Sequence, residues 1–525
     1  MKWRSPGSIL YAVATAAVIC SVYVLRLNSA VGLMVDDAAY MVLGKAIAEG
    51  QGYRLVSSPV AILPSCPPGF PLLLSAVFWF APEFPQNVWL LKSISIAAML
   101  AVGVLTFVYL HRDRQINADL AALAALATAL TPALVFLATS TVMSECVFTL
   151  SQLAAVVMIH RSGARAESVA RLHVVFAAVL VAAAMLIRSA AIGLVIAGIL
   201  WWAIERRWRS AALFTAVLVL CLLPWMLYAR ANRPTDVERA AHGGAIAYTY
   251  IDQLSMRWSS APHFGRITIG ELPARVQINT VDIAARGVGG VLAPVLLRGP
   301  EESGEELDSL GPSVELSPAS MGSARATMFV SLVLCAVALI GYAGVLRERV
   351  TVAELLIPIA VGIIVIWPYR SFRFVLPLTP FLLLYFVRGL QLLAPKAVRG
   401  VLLCVIGLHL FDHGSYLALA RDSAGDRNVR WLSWHREVEE ALDWIKTSPL
   451  GHDGEAIASS NPPLVYLHTG RKSIPSDYMS FEWADWRRRG IRYVVLLFDL
   501  DLPAYSRGGY DVLYRSTGRL WVVKI

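Results

Sequence analysis

Charge is scarce in this chain. Of its 525 residues only 16% are Asp, Glu, Lys or Arg, whereas a soluble domain carries about 25%. With 57% hydrophobic residues and a mean hydropathy of +0.59, that shortfall excludes an ordinary soluble protein. Cysteine is scarce as well. Cys20, Cys66, Cys146, Cys221, Cys335 and Cys404 are all there are, and all but Cys66 sit inside apolar runs. They offer no disulfide framework and no zinc spacing, and are read as small packing residues. The chain also lacks an HExxH motif, a phosphate-cradling glycine loop, a repeat of fixed period and any low-complexity tract. Its net charge of +9 would suit nucleic acid. The basic residues sit mainly in short loops between apolar runs, however, as the positive-inside rule requires, so nucleic acid is rejected as a partner.

What the chain does have is a series of long apolar runs. About eleven spans are predicted, at roughly 8–27, 87–110, 119–140, 145–160, 172–187, 189–204, 210–229, 326–346, 352–368, 372–390 and 399–418. The first follows Lys2 and Arg4. Asn28-Ser29-Ala30 after it is a weak cleavage signal, the run is long for a signal peptide, and the chain stays apolar beyond it. It is therefore predicted to remain as an uncleaved span. One set of loops holds Lys2, Arg4, Arg112, Arg114, Arg161, Arg165, Arg171, Arg206, Arg207, Arg209, Arg347, Arg349, Arg388, Lys396 and Arg399. This marks the cytoplasmic side and places the N-terminus there. The other side takes three longer pieces, residues 28–86, 230–325 and 419–525, and an odd span count puts the C-terminus there.

The expected fold class is thus an α-helical polytopic membrane protein, with transmembrane residues 1–418 and a small soluble α/β domain at 419–525. Asp37 to Glu49 has helical spacing and stops at Gly50. Residues 70–81, after Pro67-Pro68-Gly69, are too short to span and fit an interfacial helix. Glu301-Glu302 and Glu305-Glu306 lie in a loop composition. In the tail, His435 to Lys446 is an amphipathic helix pattern, Ile491 to Phe498 a buried strand, and Val512–Arg515 with Leu520–Ile525 a hairpin around Thr517-Gly518.

Charges that interrupt apolar runs on the outer side carry the functional signal. They are Asp36, Asp37, Lys92, Glu145, Arg188, Arg370, Arg373 and Asp412. An ionisable group at membrane depth costs roughly 2.5–3.5 kcal/mol on insertion scales, so such groups line cavities or pair. Guanidinium and ammonium groups suit a phosphate, and a neighbouring carboxylate suits a general base. The plainer reading is that each charge marks a loop at the headgroups or pairs structurally. Trp79, Trp89, Trp201, Trp202, Trp225, Tyr228, Trp367 and Tyr369, near span ends, are read as interfacial anchors rather than ligand contacts.

Several motifs occur together in order. They are Val35-Asp36-Asp37-Ala38-Ala39-Tyr40 followed by Gly50-Gln51-Gly52-Tyr53; Pro67-Pro68-Gly69-Phe70-Pro71-Leu72-Leu73; Ser144-Glu145; Arg188; Pro224-Trp225; and Arg373-Phe374-x-x-Pro377-x-x-Pro380. The tail adds Tyr466-Leu467-His468-Thr469-Gly470-Arg471 and Tyr493-Val494-Val495. In this the chain resembles the GT-C membrane glycosyltransferases, most nearly the protein O-mannosyltransferase and lipid A aminoarabinose transferase branch with its bacterial rhizobial-lipopolysaccharide-type members. The resemblance implies a polyprenyl-phosphate-linked sugar donor and inverting transfer to a glycan, lipid or protein acceptor at the outer face of a bacterial inner membrane, with the C-terminal domain periplasmic. It implies a base at Asp36 or Asp37, with Asp36 favoured, and a second acidic residue at Glu145. It places Arg188 and Arg373 around the carrier phosphate, with Lys92 at an often basic position and Arg370 beside them. Metal use is left open, since some relatives need a divalent cation and others do not. Cys66-Pro67-Pro68 lacks the charged residue that the aminoarabinose branch has before its proline, which argues against carrying over that substrate. The competing classes are a transporter or flippase of lipid-linked sugars, which would show inverted repeats or broken helices, and a polysaccharide ligase or polymerase. A structural scaffold leaves the acidic residues unexplained.

Overall fold

A computed structural model describes residues 6–163, 167–242, 244–257, 265–294, 321–368, 372–421, 430–450, 455–476, 483–498, 502–505, 509–517 and 520–525. Lys2, Arg4, Arg165, Tyr369, Arg370, Gly518 and the acidic residues at 301, 302, 305 and 306 lie outside the described residues.

The apolar runs fold as helices. They begin with α1 (Pro6–Arg26), α2 (Asp36–Ala48), α3 (Gly69–Phe80), α4 (Val88–Val108), α5 (Ala118–Ala129) and α6 (Pro132–Thr139). Then come α7 (Glu145–Ser162), α8 (Glu167–Ile187), α9 (Ile192–Ile204) and α10 (Trp208–Ala231). Helices Met321–Glu348, Val352–Ile366, Thr379–Leu393 and Val398–Arg421 follow further along the chain. Among the described residues six helices are long and apolar enough to cross a membrane, or seven if α5 and α6 form one span. Thr15–Arg26, Ser189–Ile204 and Val352–Ile366 are apolar but shorter. The architecture is polytopic, and length and composition alone stop short of the expected eleven spans.

Two expectations are corrected. The sequence predicts one continuous span over 119–140, but α5 and α6 are bent by 47°. Pro132 is the cause: it lacks an N–H and so begins a new helix instead of continuing the old one. Carbonyls at the break find other partners. The Tyr23 hydroxyl donates to the Ala129 oxygen at 2.9 Å, and His413 Nε2 lies 3.0 Å from the Leu130 oxygen. Irregular backbone at membrane depth is tolerated where protein groups satisfy it in this way. The second correction concerns Trp201 and Trp202. They are buried in the bundle, with Trp202 Nε1 donating to Ser162 Oγ at 3.3 Å, so they do not face lipid. Trp79 and Trp89 are exposed, as interfacial anchors require.

At the far end of α4 from Lys92, Arg114 meets the buried Glu354 with two guanidinium nitrogens, at 2.8 and 3.3 Å. The Tyr385 hydroxyl donates to the same carboxylate at 2.9 Å. This clamp joins α4 to Val352–Ile366 and Thr379–Leu393.

Glycine at position 69 is a packing requirement. A Cβ there would fall 2.7 Å from the Leu186 carbonyl oxygen. The start of α3 therefore rests directly on the end of α8, two residues before Arg188. The other face of α3 leaves Leu72, Leu73, Trp79 and Phe80 exposed, as an interfacial helix does.

The tail forms a five-stranded sheet of order β2-β1-β3-β5-β4, with β1 (Ala456–Ser459), β2 (Ile474–Pro475), β3 (Ile491–Leu496), β4 (Asp511–Arg515) and β5 (Trp521–Lys524). β1 pairs in parallel with β2 and β3, and β5 is antiparallel to β3 and β4. Strand alternation sends the side chains to two faces. Val495 and Val522 join the main apolar core, while Val494, Leu496 and Val523 pack on Trp483 and Trp486 in a second one. One face of the sheet is thus continuous with the core of the helical part.

Candidate functional site

Four side chains from distant parts of the sequence form one chain of ion pairs. Arg373 Nη2 donates to Asp36 Oδ2 at 2.8 Å. Arg373 Nε lies 3.8 Å from Glu145 Oε1, and the same Glu145 oxygen is 2.7 Å from Arg188 Nη1. Two carboxylates and two guanidiniums therefore alternate, and their charges balance.

Each is placed by a local backbone device. Glu145 is the first residue of α7, where the positive end of the helix dipole favours a carboxylate. Arg188 is extended after the end of α8, at φ −147° and ψ 130°, which turns its side chain out of the helix. Arg373 lies in the short 3-10 turn Phe372–Phe374. The next turn is tied to α7, because Gln152 Nε2 donates to the Pro377 oxygen at 3.0 Å. Asp36 opens α2, one residue earlier than sequence spacing placed the helix. The residue before it, Val35, has φ 55° and ψ −48°, and the Asp36 N–H bonds to the Met34 oxygen. This is a γ-turn of the rare hand, costly for a β-branched residue and of a kind that collects at functional sites.

Exposure separates the two carboxylates. The Asp36 side chain is 46% exposed and Glu145 is fully buried. Asp36 can meet a substrate. Glu145 is enclosed by the arginines and holds them.

Asp37 is a different kind of group. It is fully buried, and its carboxylate accepts the N–H of Gly32 at 2.8 Å and of Ala38 at 2.9 Å. Burial lifts its pKa to about 6, against the pull of these donors. Lys92 Nζ donates to the carbonyl oxygens of Asn28 at 2.7 Å and Ala30 at 2.6 Å, closing the entrance of the first outer segment. The structure thus brings Asp36, Glu145, Arg188 and Arg373 together, whereas Asp37 and Lys92 hold backbone. Arg370 is outside the described residues. Asp412 is buried, as are His409 and His413 on the same helix, and the histidine ring nitrogens meet the Val291 and Leu130 oxygens.

Aromatic groups frame the cluster. The Phe374 ring centroid is 5.7 Å from the Arg188 guanidinium carbon and 5.4 Å from that of Arg373, so one ring serves both cations. Ser144 Oγ accepts from Arg188 at 3.1 Å and donates to the Tyr40 hydroxyl at 3.4 Å. The Tyr53 hydroxyl donates to the Cys66 and Pro67 oxygens at 2.9 and 3.1 Å, and its ring meets Trp225 edge-on at 5.4 Å. Trp225 thus packs on the outer segment. Sequence reasoning gave Phe374, Ser144 and Tyr40 no role, although all three lie in the quoted motifs.

Among the described residues no group of three His, Cys, Asp or Glu side chains could hold a metal ion. Asp36 and Glu145 have guanidiniums on them and Asp37 is taken up by backbone donors. This donor set does not fit a divalent cation.

No protein-family model matches the chain, and no curated protein matches it in sequence. Among solved structures it is similar to the Archaeoglobus fulgidus oligosaccharyltransferase tethered with an acceptor peptide containing the NVT sequon. The TM-score is 0.56 at 13% identity, covering 97% of this chain and 73% of that one. The same enzyme in complex with zinc and sulfate gives 0.55 at 15% identity, covering 97% and 72%. ArnT from Cupriavidus metallidurans bound to undecaprenyl phosphate is matched over 98% of each chain at 14% identity, with a TM-score of 0.46. The oligosaccharyltransferase likeness establishes a shared fold.

Proposed function

We propose that this chain is an inverting membrane glycosyltransferase of the GT-C type that moves a sugar from a polyprenyl phosphate to an acceptor at the outer membrane interface. The observation that carries this reading is the Asp36–Arg373–Glu145–Arg188 chain, with one accessible carboxylate beside two guanidiniums fixed by a buried one. In the reaction the acceptor nucleophile attacks the anomeric carbon and loses its proton to Asp36. The anomeric C–O bond breaks, and the electron pair leaves with the carrier phosphate. Arg373 and Arg188 meet the charge that grows on that phosphate, and they are held in place before it arrives. Phosphate binding competes with Asp36 for Arg373, so the resting pair is exchanged and the base is released. The bilayer holds the donor's lipid chain and supplies orientation.

The cations lie on the side of the chain assigned to the outer face, with about eleven spans, a cytoplasmic N-terminus and residues 419–525 outside. A cytoplasm-dependent reporter fused after Ile525 tests this, and a bright signal would break the arrangement. For the chemistry, purified protein is incubated with undecaprenyl-phosphate glucose, galactose, mannose and arabinose and with envelope extract as acceptor. Products are read by mass spectrometry. Transfer of one of these sugars is expected. Movement of intact donor across vesicles without transfer would favour a flippase instead.

A further inference from the structure

The turn that carries Asp36 is gripped from the C-terminal sheet region. Asn461 caps the helix Pro462–Thr469, its Oδ1 accepting the Leu464 N–H at 3.2 Å. Its other amide atom is turned elsewhere: Nδ2 donates to the Gly32 carbonyl oxygen at 2.9 Å, across 429 positions of sequence, in a buried contact. The Gly32 N–H in turn donates to Asp37, the neighbour of Asp36. Gly32 itself has φ +84°, and a Cβ there would lie 2.5 Å from Leu464 Cδ2. The first turn of one helix therefore both shapes and holds this loop. From the opposite side Lys92 holds the Asn28 and Ala30 oxygens. Just beyond these two grips the backbone passes through the strained Val35 turn to Asp36.

We infer that Asn461 is a positioning residue, which sets the Asp36 carboxylate through Gly32 and Asp37 and so makes the sheet region part of the catalytic apparatus. This rests on the reading of Asp36 as base. A base must sit within hydrogen-bond reach of the proton it takes, and a displacement of about 1 Å can cost 10²-fold. A strained turn keeps its shape only where its surroundings over-determine it, and the Asn461 amide is one of those constraints.

Asn461→Ser separates the two roles of the side chain. Serine caps helices as well as asparagine does, but it has no amide N–H to reach Gly32. The probes are undecaprenyl phosphate for binding and, for turnover, whichever undecaprenyl-phosphate sugar the wild-type protein consumes. Asn461→Ser is expected to lower kcat about tenfold or more, with the donor KM and the undecaprenyl phosphate Kd unchanged, while the thermal midpoint falls slightly because the Gly32 carbonyl loses its buried partner. Amide exchange at residues 32–37 should quicken. Wild-type kcat in Asn461→Ser, beside an inactive Asp36→Asn, would overturn this inference and leave the base in place. A fall in kcat matched by an equal loss of donor binding would also overturn it, as the mark of a general loosening of the site. Full transfer by Asp36→Asn would instead remove the reading of the base itself.

Discussion

Asp36 and Arg373 stand 337 positions apart in sequence and share a 2.8 Å hydrogen bond. The pair joins the first outer segment to the turn before the helix Thr379–Leu393. It leaves Asp36 half open to solvent, and it links the proposed base to the proposed phosphate site.

Asp36→Asn keeps the size of the side chain and loses its capacity as a base. Transfer should fall by roughly 10²–10⁴-fold, while undecaprenyl phosphate binding stays near wild type because the phosphate contacts are the arginines. Steady-state turnover beside equilibrium binding checks this. Full activity in both Asp36→Asn and Glu145→Gln would remove the proposed centre.

The arginines are predicted to differ from the carboxylates in what they control. Arg188→Ala and Arg373→Ala should weaken undecaprenyl phosphate binding, and Arg373→Lys should restore only part of it, since the planar fork is lost. Glu145→Gln leaves two guanidiniums without their buried counter-charge. Breaking such a pair costs about 3–5 kcal/mol, which thermal unfolding in detergent would register. Unchanged donor affinity in both alanine variants would reject the phosphate assignment.

Gly69→Ala tests whether α3 positions the site. The added methyl meets the Leu186 carbonyl, and overpacking of this kind costs about 1–3 kcal/mol. Because Arg188 follows within a turn, donor affinity should fall together with the thermal midpoint. A fully stable and active variant would show that α3 moves away without consequence.

Stability should fall as the medium is acidified from pH 7 toward 4. Burial lowers the pKa of His242 and His468 to about 4 and that of His435 to about 3. Their neutral forms are favoured in the folded state, so each contributes stability above its ordinary value near 6.5, and this is lost as pH drops through the folded value. Asp37 works the other way. Its folded pKa is raised to about 6, so its contribution is full below about 4 and is lost as pH rises through 6. Three histidines outweigh one aspartate across this window. Thermal midpoints measured across it should decline with acid, and more steeply in Asp37→Asn, which removes the opposing group.

Much of the helical layout was legible because hydropathy and charge act locally along the chain. Glu145, Arg188 and Arg373 stood out because each interrupts an apolar run. The sequence could not show which charges meet. Asp36 and Asp37 are adjacent and chemically alike, yet one faces Arg373 and the other is sealed among backbone N–H groups. The strained turn at Val35 divides them, and no propensity predicts a positive φ at valine. Lys92 looked like a phosphate ligand by position, yet its ammonium binds two carbonyls that only the folded turn brings near. The break at Pro132 was visible as a proline, but hydropathy averages across it. Asn461 carried a signal that was missed, since Asn followed by Pro-Pro is a helix start.

The contact between Gly32 and Asn461 also has a consequence in time. Synthesis at about 5–20 residues per second separates the two by 429 positions, or roughly 20–90 s. β5, which lies between β3 and β4 in the sheet, is made later still. The turn bearing Asp36 therefore emerges well before Asn461 and waits, without that grip, while the chain between them is translated. Throughout that interval the nascent protein carries its acidic residues at the membrane surface without the means to use them.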